Sequence, residues 1–473
     1  MSEKAEVWQE ISGASQYSEE HVSEPVQKKG RKFLWFVPLA PHVHPVKFFC
    51  FLFSVFVSLA NVVFLAVNQA TILNILAPAN LSNIANAQGD TTGSFALYSE
   101  IVSLVMVVVW GVLADRYQKS LISGVSLILM GVAVIAYPHA PNVYPTLLIL
   151  KLIFSIGTAG STAMMAALMI EVVHGKGGLV SGLIGSCSGL GAVFAALCLV
   201  RVPVQLRFIL DRPNGELILS YGIIGGITVF LGIVFIFALP RSVERPKTDR
   251  EGYITKLRKG ILAGKDPRIA LGYASSFFAR ADEIIITNFI SLWIIQYYIE
   301  TGECEVGKVC YMAMASSSTL TGIAQSVALA SAPVFAAGSE YLPKEVPVML
   351  AGIIGATGCI PFALSIDPTS QASYGFVVLL AIGQIGMIIS GMAMIGGPYV
   401  PEDCKGSIAG TYSFSGALGI IVIAKLGGVL FDKWMKGAPF LLLGIGHCLV
   451  TVFAFINVSI RYIRERQNRR NTT

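Results

Sequence analysis

Charge is what this sequence has least of. Asp, Glu, Lys and Arg make up 13% of the 473 residues, where a soluble globular chain carries about 25%. Histidine is sparse too: His21, His42, His44, His139, His174 and His447 are scattered, with no second ligand pair beside His42 and His44. That pattern argues against a metal centre. No GxxxxGK[ST] phosphate loop occurs, since Gly182-Leu-Ile-Gly-Ser-Cys-Ser-Gly189 lacks the lysine, so no ATP drive is expected. Residues 1–25 hold no apolar stretch. A cleavable signal peptide is therefore not expected, and the first apolar run must act as the insertion signal. The 47 Gly and 21 Pro follow no triplet period, which excludes a fibrous or low-complexity chain. Together these absences remove the soluble enzyme and the disordered scaffold. No catalytic residue and no cofactor are assigned.

Apolar residues are what the sequence has in excess, at 54%, with mean hydropathy +0.69. A membrane-crossing helix needs about 20 predominantly apolar residues. Twelve such runs stand between polar breaks: 47–76, 93–113, 120–138, 144–170, 179–200, 218–239, 270–298, 311–337, 346–366, 373–396, 407–431 and 438–460. Barrel strands would give short alternating segments instead. The expectation is an all-α integral membrane protein with twelve transmembrane helices. With the N-terminus in the cytosol, the outward connections hold only Arg201, Arg207, Arg212, Lys308, Lys433 and Lys436 of the 34 basic residues. Lys151, Arg280 and Lys425 lie within spans, and the rest fall on the cytosolic side. Both termini are thus expected to be cytosolic. The same asymmetry accounts for the net charge of +6, so no nucleic-acid partner is inferred.

A repeat divides the chain. Residues 177–191 and 405–419 align at an offset of 228, with Gly178/Gly406, Gly182/Gly410 and Gly191/Gly419 coincident. Small residues at such spacing let helices approach closely, and duplicated six-span halves are common among secondary transporters. The expected organisation is a cytosolic tail (1–45), a six-helix bundle (46–240), a cytosolic central loop (241–269), a second six-helix bundle (270–462) and a basic tail (463–473). In the central loop Tyr253, Ile254, Leu257, Ile261 and Leu262 share a helical face. Two readings stand level there: an interfacial helix on anionic headgroups, or a solvated linker.

Between spans 2 and 3, Gly111-Val-Leu-Ala-Asp115-Arg116-Tyr-Gln-Lys119-Ser resembles the GxLaDRxGRK loop signature of the major facilitator superfamily. Lys151-Leu-Ile-Phe-Ser155-Ile-Gly157-Thr-Ala159 is similar to that family's RxxxGxGxG pattern, and Pro333–Glu340 to a decayed second copy of the loop signature. Gln118 and Ser120 depart from the loop pattern. The Gly-Pro signature of drug antiporters and the sugar-porter signatures are absent. The resemblance covers roughly 46–462 and implies two pseudo-symmetric halves. It also implies that Gly111, Asp115, Arg116 and Lys119 form a cytosolic latch, with Asp115 against the start of span 11. A carboxylate beside a helix N-terminus gains about 0.3–1 kcal/mol, enough to bias two nearly equal states.

Charge inside spans is the strongest functional signal, because each such residue costs about 2.5–3.5 kcal/mol to insert. In span 4, Lys151, Ser155, Thr158 and Thr162 follow each other at helical spacing. In span 7, Ser276, Arg280, Glu283, Thr287 and Ser291 do the same, and Arg280 and Glu283 are helical neighbours. Both stripes are expected to line a central cavity, against the alternative of interhelical glue. Lys151 and Arg280 lie in the first third of spans that start on opposite sides, so they need not meet. Asp282 points to another sector, toward an adjacent helix. Further candidates are Asn61, Asn68 and Gln69 in span 1, Tyr98 and Glu100 in span 2, and Gln325 and Gln384. Glu100, Asp282 and Glu283 are candidate proton carriers, with H⁺ as an optional coupling ion. Lys425 is expected to snorkel.

Of the eight cysteines, Cys304 and Cys310 share the outward 7–8 loop and form a disulfide candidate. Asn80-Leu-Ser82 is a glycosylation sequon in the outward 1–2 loop. With the polar N-tail, these lean toward a eukaryotic source, in the plasma membrane or an endomembrane. The functional expectation is a secondary transporter of a small polar or anionic solute, working in the lipid bilayer by alternating access. The alternative is a transport-inactive sensor or partner subunit.

Overall fold

The computed structural model describes residues 32–33, 37–38, 43–77, 87–172, 177–207, 214–239, 253–397, 399–400 and 402–472. Apart from a two-residue antiparallel bridge of Lys32–Phe33 with Val37–Pro38, the described chain is helical. The long helices are α1 (Pro45–Leu76), α2 (Gln88–Ala114), α3 (Lys119–Ala136), α4 (Leu148–Val172), α5 (Gly177–Leu197) and α6 (Gly215–Ala238), then α7 (Pro267–Glu300), α8 (Tyr311–Tyr341), α9 (Glu345–Ala363), α10 (Gln371–Ile395), α11 (Glu402–Lys433) and α12 (Ala438–Thr472). Two short helices, 202–206 and 253–263, are named by their residues.

Eleven helices among the described residues are long and apolar enough to cross a membrane. The remaining long helix is α7, whose apolar run is diluted by Arg280, Asp282, Glu283 and the hydroxyl stripe. α1 and α7 start in the same way. Pro occupies the first turn of each, where its missing N–H costs nothing. The preceding residue caps: His44 Nδ1 accepts from Val46 N at 3.3 Å, and Asp266 Oδ1 from Arg268 N at 3.0 Å.

Helix pairing repeats along the chain. α1 packs on α5, α2 and α3 on α4, and α3 on α6; adding six to each number gives α7–α11, α8–α10, α9–α10 and α9–α12, which pack likewise. Of the matched glycines, Gly191 and Gly419 sit at equivalent crossings. A side chain at Gly191 would meet the carbonyl of Phe56 on α1, and one at Gly419 the carbonyl of Phe277 on α7. Gly182, Gly406 and Gly410 face open space.

Two seams join the repeats, α2–α11 and α5–α8. Both are closed at the end carrying the 304–310 loop, called here the disulfide end. There Gly89 and Gly93 of α2 lie against Gly428 and Ala424 of α11. Arg201, after α5, donates to Ser318 and Thr319 of α8 at 3.0 and 2.7 Å. At the opposite, linker end, α2 is widely exposed at Val105, Val108 and Val112, as is α8 at Val334 and Tyr341.

Helix 253–263 is not free of the bundle. Gly260 is buried against Ser407 and Thr411 of α11, its carbonyl accepts from the Tyr273 hydroxyl at 2.7 Å, and Ala263 is buried beside Ile408. Ile261 points outward.

Candidate functional site

The middle of the bundle holds charge on both sides of the α2–α11 seam. On α7, Arg280 Nη1 and Glu283 Oε2 are 2.9 Å apart, with side chains 48% and 34% exposed. Their spacing of three on one helix makes this pair local, so it forms as soon as α7 does. Arg280 is held against α11: Gly416 leaves room for its aliphatic stem, whose Cγ would be 2.5 Å from a Cβ there. Ser276 donates to the Tyr412 carbonyl at 2.8 Å, pinning the same crossing. Glu100, on α2 of the other repeat, lies close enough for the charges of Arg280 and Glu283 both to act on it. Arg280 therefore pairs with a carboxylate on its own helix, and Glu100 across the seam lies within reach of both charges.

Lys151 lies on α4, which packs on α2. α2 and α4 run in the same direction, with the rings of Phe95 and Tyr144 5.7 Å apart and Trp110 donating to the Ile156 carbonyl at 2.9 Å. Glu100 lies between Phe95 and Trp110 on α2, and Lys151 between Tyr144 and Ile156 on the α4 side. Lys151 has no carboxylate partner among the described residues; its Nζ lies 5.9 Å from the centroid of the Phe154 ring. Lys and Arg side chains only donate hydrogen bonds, so the groups that Lys151 and Arg280 can each bind are oxyanions and carbonyl oxygens.

The remaining stripe residues divide. Ser155, Thr158 and Thr162 donate to carbonyls of their own helix at 2.9 Å each, and Thr287 does so to the Glu283 carbonyl at 2.8 Å. Ser291 reaches the Val67 carbonyl of α1 at 2.6 Å. Asn61 is buried between α1 and α6, where its Oδ1 accepts from the Thr228 hydroxyl at 3.0 Å. Asn68 and Gln69 are buried on α1. Asp282 is fully buried on the far side of α7, with its Oδ2 3.0 Å from Nε2 of His447 on α12. At the linker end, Gly111 has nothing within reach of a Cβ, Asp115 and Arg116 are exposed, and Lys119 begins α3. Cys304 and Cys310 are joined in a disulfide. Asn80 lies outside the described residues.

Three features were not anticipated. Lys425 has a partner: its Nζ binds Asp90 Oδ1 and, at 2.8 Å, the Ser94 hydroxyl across the α2–α11 seam. Asp432 accepts from the backbone N–H groups of Gly89 and Asp90 at 2.9 and 2.6 Å, capping α2 from the other repeat. A small crevice between α1, α3 and α4 is lined by Ser54, Ser58, Ser123, Ser161 and Thr162, with Ser161 donating to Ser58 at 2.8 Å. The four-residue spacing of Ser54 and Ser58 was the available signal for it.

Comparison with known proteins agrees with the architecture. Magnetosome protein MamH of Paramagnetospirillum magneticum is 24% identical over 410 residues, covering 81% of this chain and 88% of MamH. Magnetosome protein MamZ of the same organism is 25% identical over 386 residues, and the match spans only 56% of MamZ's length. These relatives are bacterial and leave the expectation of a eukaryotic source without support. Among solved structures, the nucleoside transporter NupG superposes with TM-score 0.60 at 13% identity, covering 87% of this chain and 98% of that one. A bacterial homologue of the human lysosomal transporter Spinster, inward-facing and occupied, gives 0.59 at 13% identity over 90% and 98%. The family model of the Major Facilitator Superfamily matches residues 59–424. Over most of its length, then, this chain belongs to the Major Facilitator Superfamily.

Proposed function

We propose that the protein is a secondary transporter of a small polar or anionic solute, working by alternating access between two six-helix bundles, 46–240 and 270–462. The observation that carries this reading is the Arg280–Glu283 pair, with Glu100 of the other repeat within reach of both charges. It puts solvent-reachable charge at mid-bundle in a chain otherwise depleted of charge. A scaffold gains nothing from such a group, given the cost of inserting it. In this reading the linker end and both termini are cytosolic, and the closed disulfide end with an exposed linker end is an inward-open arrangement. Gly111, Asp115, Arg116 and Lys119 then form the latch of the opposite state, in which Asp115 meets the start of α11. Glu283 couples H⁺ by releasing Arg280 when protonated.

The test is uptake by purified protein in liposomes, offered a mixture of isotope-labelled carboxylates, phosphate esters and nucleosides. At least one solute is expected to accumulate, with Arg280→Ala and Lys151→Ala losing uptake and Glu283→Gln losing its pH dependence. If all three variants transport like wild type with one pH profile, the charges are structural. If no solute moves in wild type, the sensor or partner-subunit reading replaces this one.

A further inference from the structure

The connection from α7 to α8 is fastened to both repeats. Its disulfide joins Cys304 to Cys310 and encloses Glu305, Val306, Gly307, Lys308 and Val309 in a ring. The amides of Glu303 and Cys304 donate to the Tyr298 carbonyl at 2.9 Å, which ties the ring to the end of α7. From within the ring, three hydrogen bonds cross to Asn74 in the last turn of α1. Gly307 N donates to the Asn74 carbonyl at 3.2 Å, and Asn74 Nδ2 donates to the carbonyls of Lys308 at 3.0 Å and Glu305 at 3.4 Å. Asn74 is buried, and Gly307 turns its N–H toward it at φ +88°, a conformation that favours glycine. Val309 packs into the core of the first repeat, while Cys304 and Cys310 pack into that of the second.

Apart from the Ala77 amide at the end of its own helix, Asn74 is met by backbone groups that lie between the two cysteines. An unconstrained loop would have to order four consecutive residues to present those groups together, and the entropy lost is of the same order as the hydrogen bonds gained. Closing the ring restricts the loop beforehand and removes most of that cost. The clasp is at the same end of the bundle as Lys425–Asp90 and Asp432 on the α2 amides, so it adds a third tie between the repeats at that end.

We propose that the 304–310 ring is a redox-sensitive clasp that holds the disulfide end shut through Asn74. A dithiol reductant attacks the half-buried Cys304–Cys310 bond. It transfers two electrons and two protons to give two Cys thiols, and itself becomes a disulfide. The loop then releases Asn74, and the population shifts toward opening at that end.

Hydrogen–deuterium exchange of the full chain in lipid nanodiscs, with and without dithiothreitol, tests this without any knowledge of the solute. Reduction is expected to speed exchange of the 88–96 amides by about threefold or more, because opening exposes the Gly89 and Asp90 N–H groups held by Asp432. Oxidised Asn74→Ala should exchange as fast over 88–96 as the reduced wild type. The Cys304→Ser/Cys310→Ser pair should be fast with or without dithiothreitol. Faster exchange confined to 302–310, with 88–96 unchanged on reduction and in Asn74→Ala, overturns the proposal. The wild-type and Asn74→Ala arms decide the matter even if the double serine variant fails to fold.

Discussion

Adding one methyl group at Gly89 should shift the conformational balance of the whole molecule. A Cβ at this position would lie 2.7 Å from the Gly428 carbonyl, 2.7 Å from Phe431 Cδ1 and 2.8 Å from Asp432 Oδ1. The phenyl ring can swing away, but the carbonyl belongs to the α11 backbone. Ordinary contact begins near 3.4 Å, so Gly89→Ala requires the two helices to part by several tenths of an ångström. Overpacking of this kind costs about 1–3 kcal/mol, and the cost falls only on the state in which the disulfide end is closed. At about 1.4 kcal/mol per factor of ten, the ratio of open to closed should rise between about 5-fold and about 150-fold. Spin labels at Val112→Cys and Gly410→Cys, in a chain whose free cysteines are replaced, report the linker end by electron resonance. Wild type should show long distances there, and Gly89→Ala a shorter population as that end closes. An unchanged distance distribution in a folded Gly89→Ala protein would refute the claim that this seam controls the opposite end.

Three further outcomes are expected. Gly416→Val should push the Arg280 stem off α11 and lower solute uptake at least tenfold, with membrane insertion unchanged on a fluorescence-detected expression assay. His447→Ala removes the ring 3.0 Å from the buried Asp282 carboxylate and leaves a cavity on α12, so it should lower the thermal midpoint of the second repeat in detergent; an unchanged midpoint would remove this contact from the stability of that repeat. Asp115→Asn should slow transport and leave expression intact, and unchanged linker-end accessibility with unchanged transport would remove Asp115 from the latch.

The spans were legible because apolar runs of about 20 residues have few alternative fates. Interactions within one helix were legible too: Arg280 and Glu283 follow from a spacing of three, and Cys304 and Cys310 from a short shared loop. What could not be read were partners far apart in sequence. Asp282 with His447, Asp90 with Lys425, and Asp432 with the α2 amides each depend on which helices meet and at what depth, and hydropathy contains neither. In the span 4 stripe Ser155, Thr158 and Thr162 donate to carbonyls of their own helix, which leaves their oxygen lone pairs as acceptors. Position along a span gives no common level between helices until contacts such as Phe95 with Tyr144 fix their relative height.

The glycine contacts between α2 and α11 lie at one extremity of two long rods. α2 has 27 residues, so at about 1.5 Å per residue it is a lever of about 40 Å pivoting near Gly89 and Gly93. A turn of about 10° about that pivot would carry its far tip about 7 Å, the width of a small organic molecule. The pivot itself need move by no more than the slack of a few van der Waals contacts. Mechanical advantage of this kind means that a methyl group, a broken ion pair or a released loop at the pivot can be read out as a doorway at the far side of the membrane.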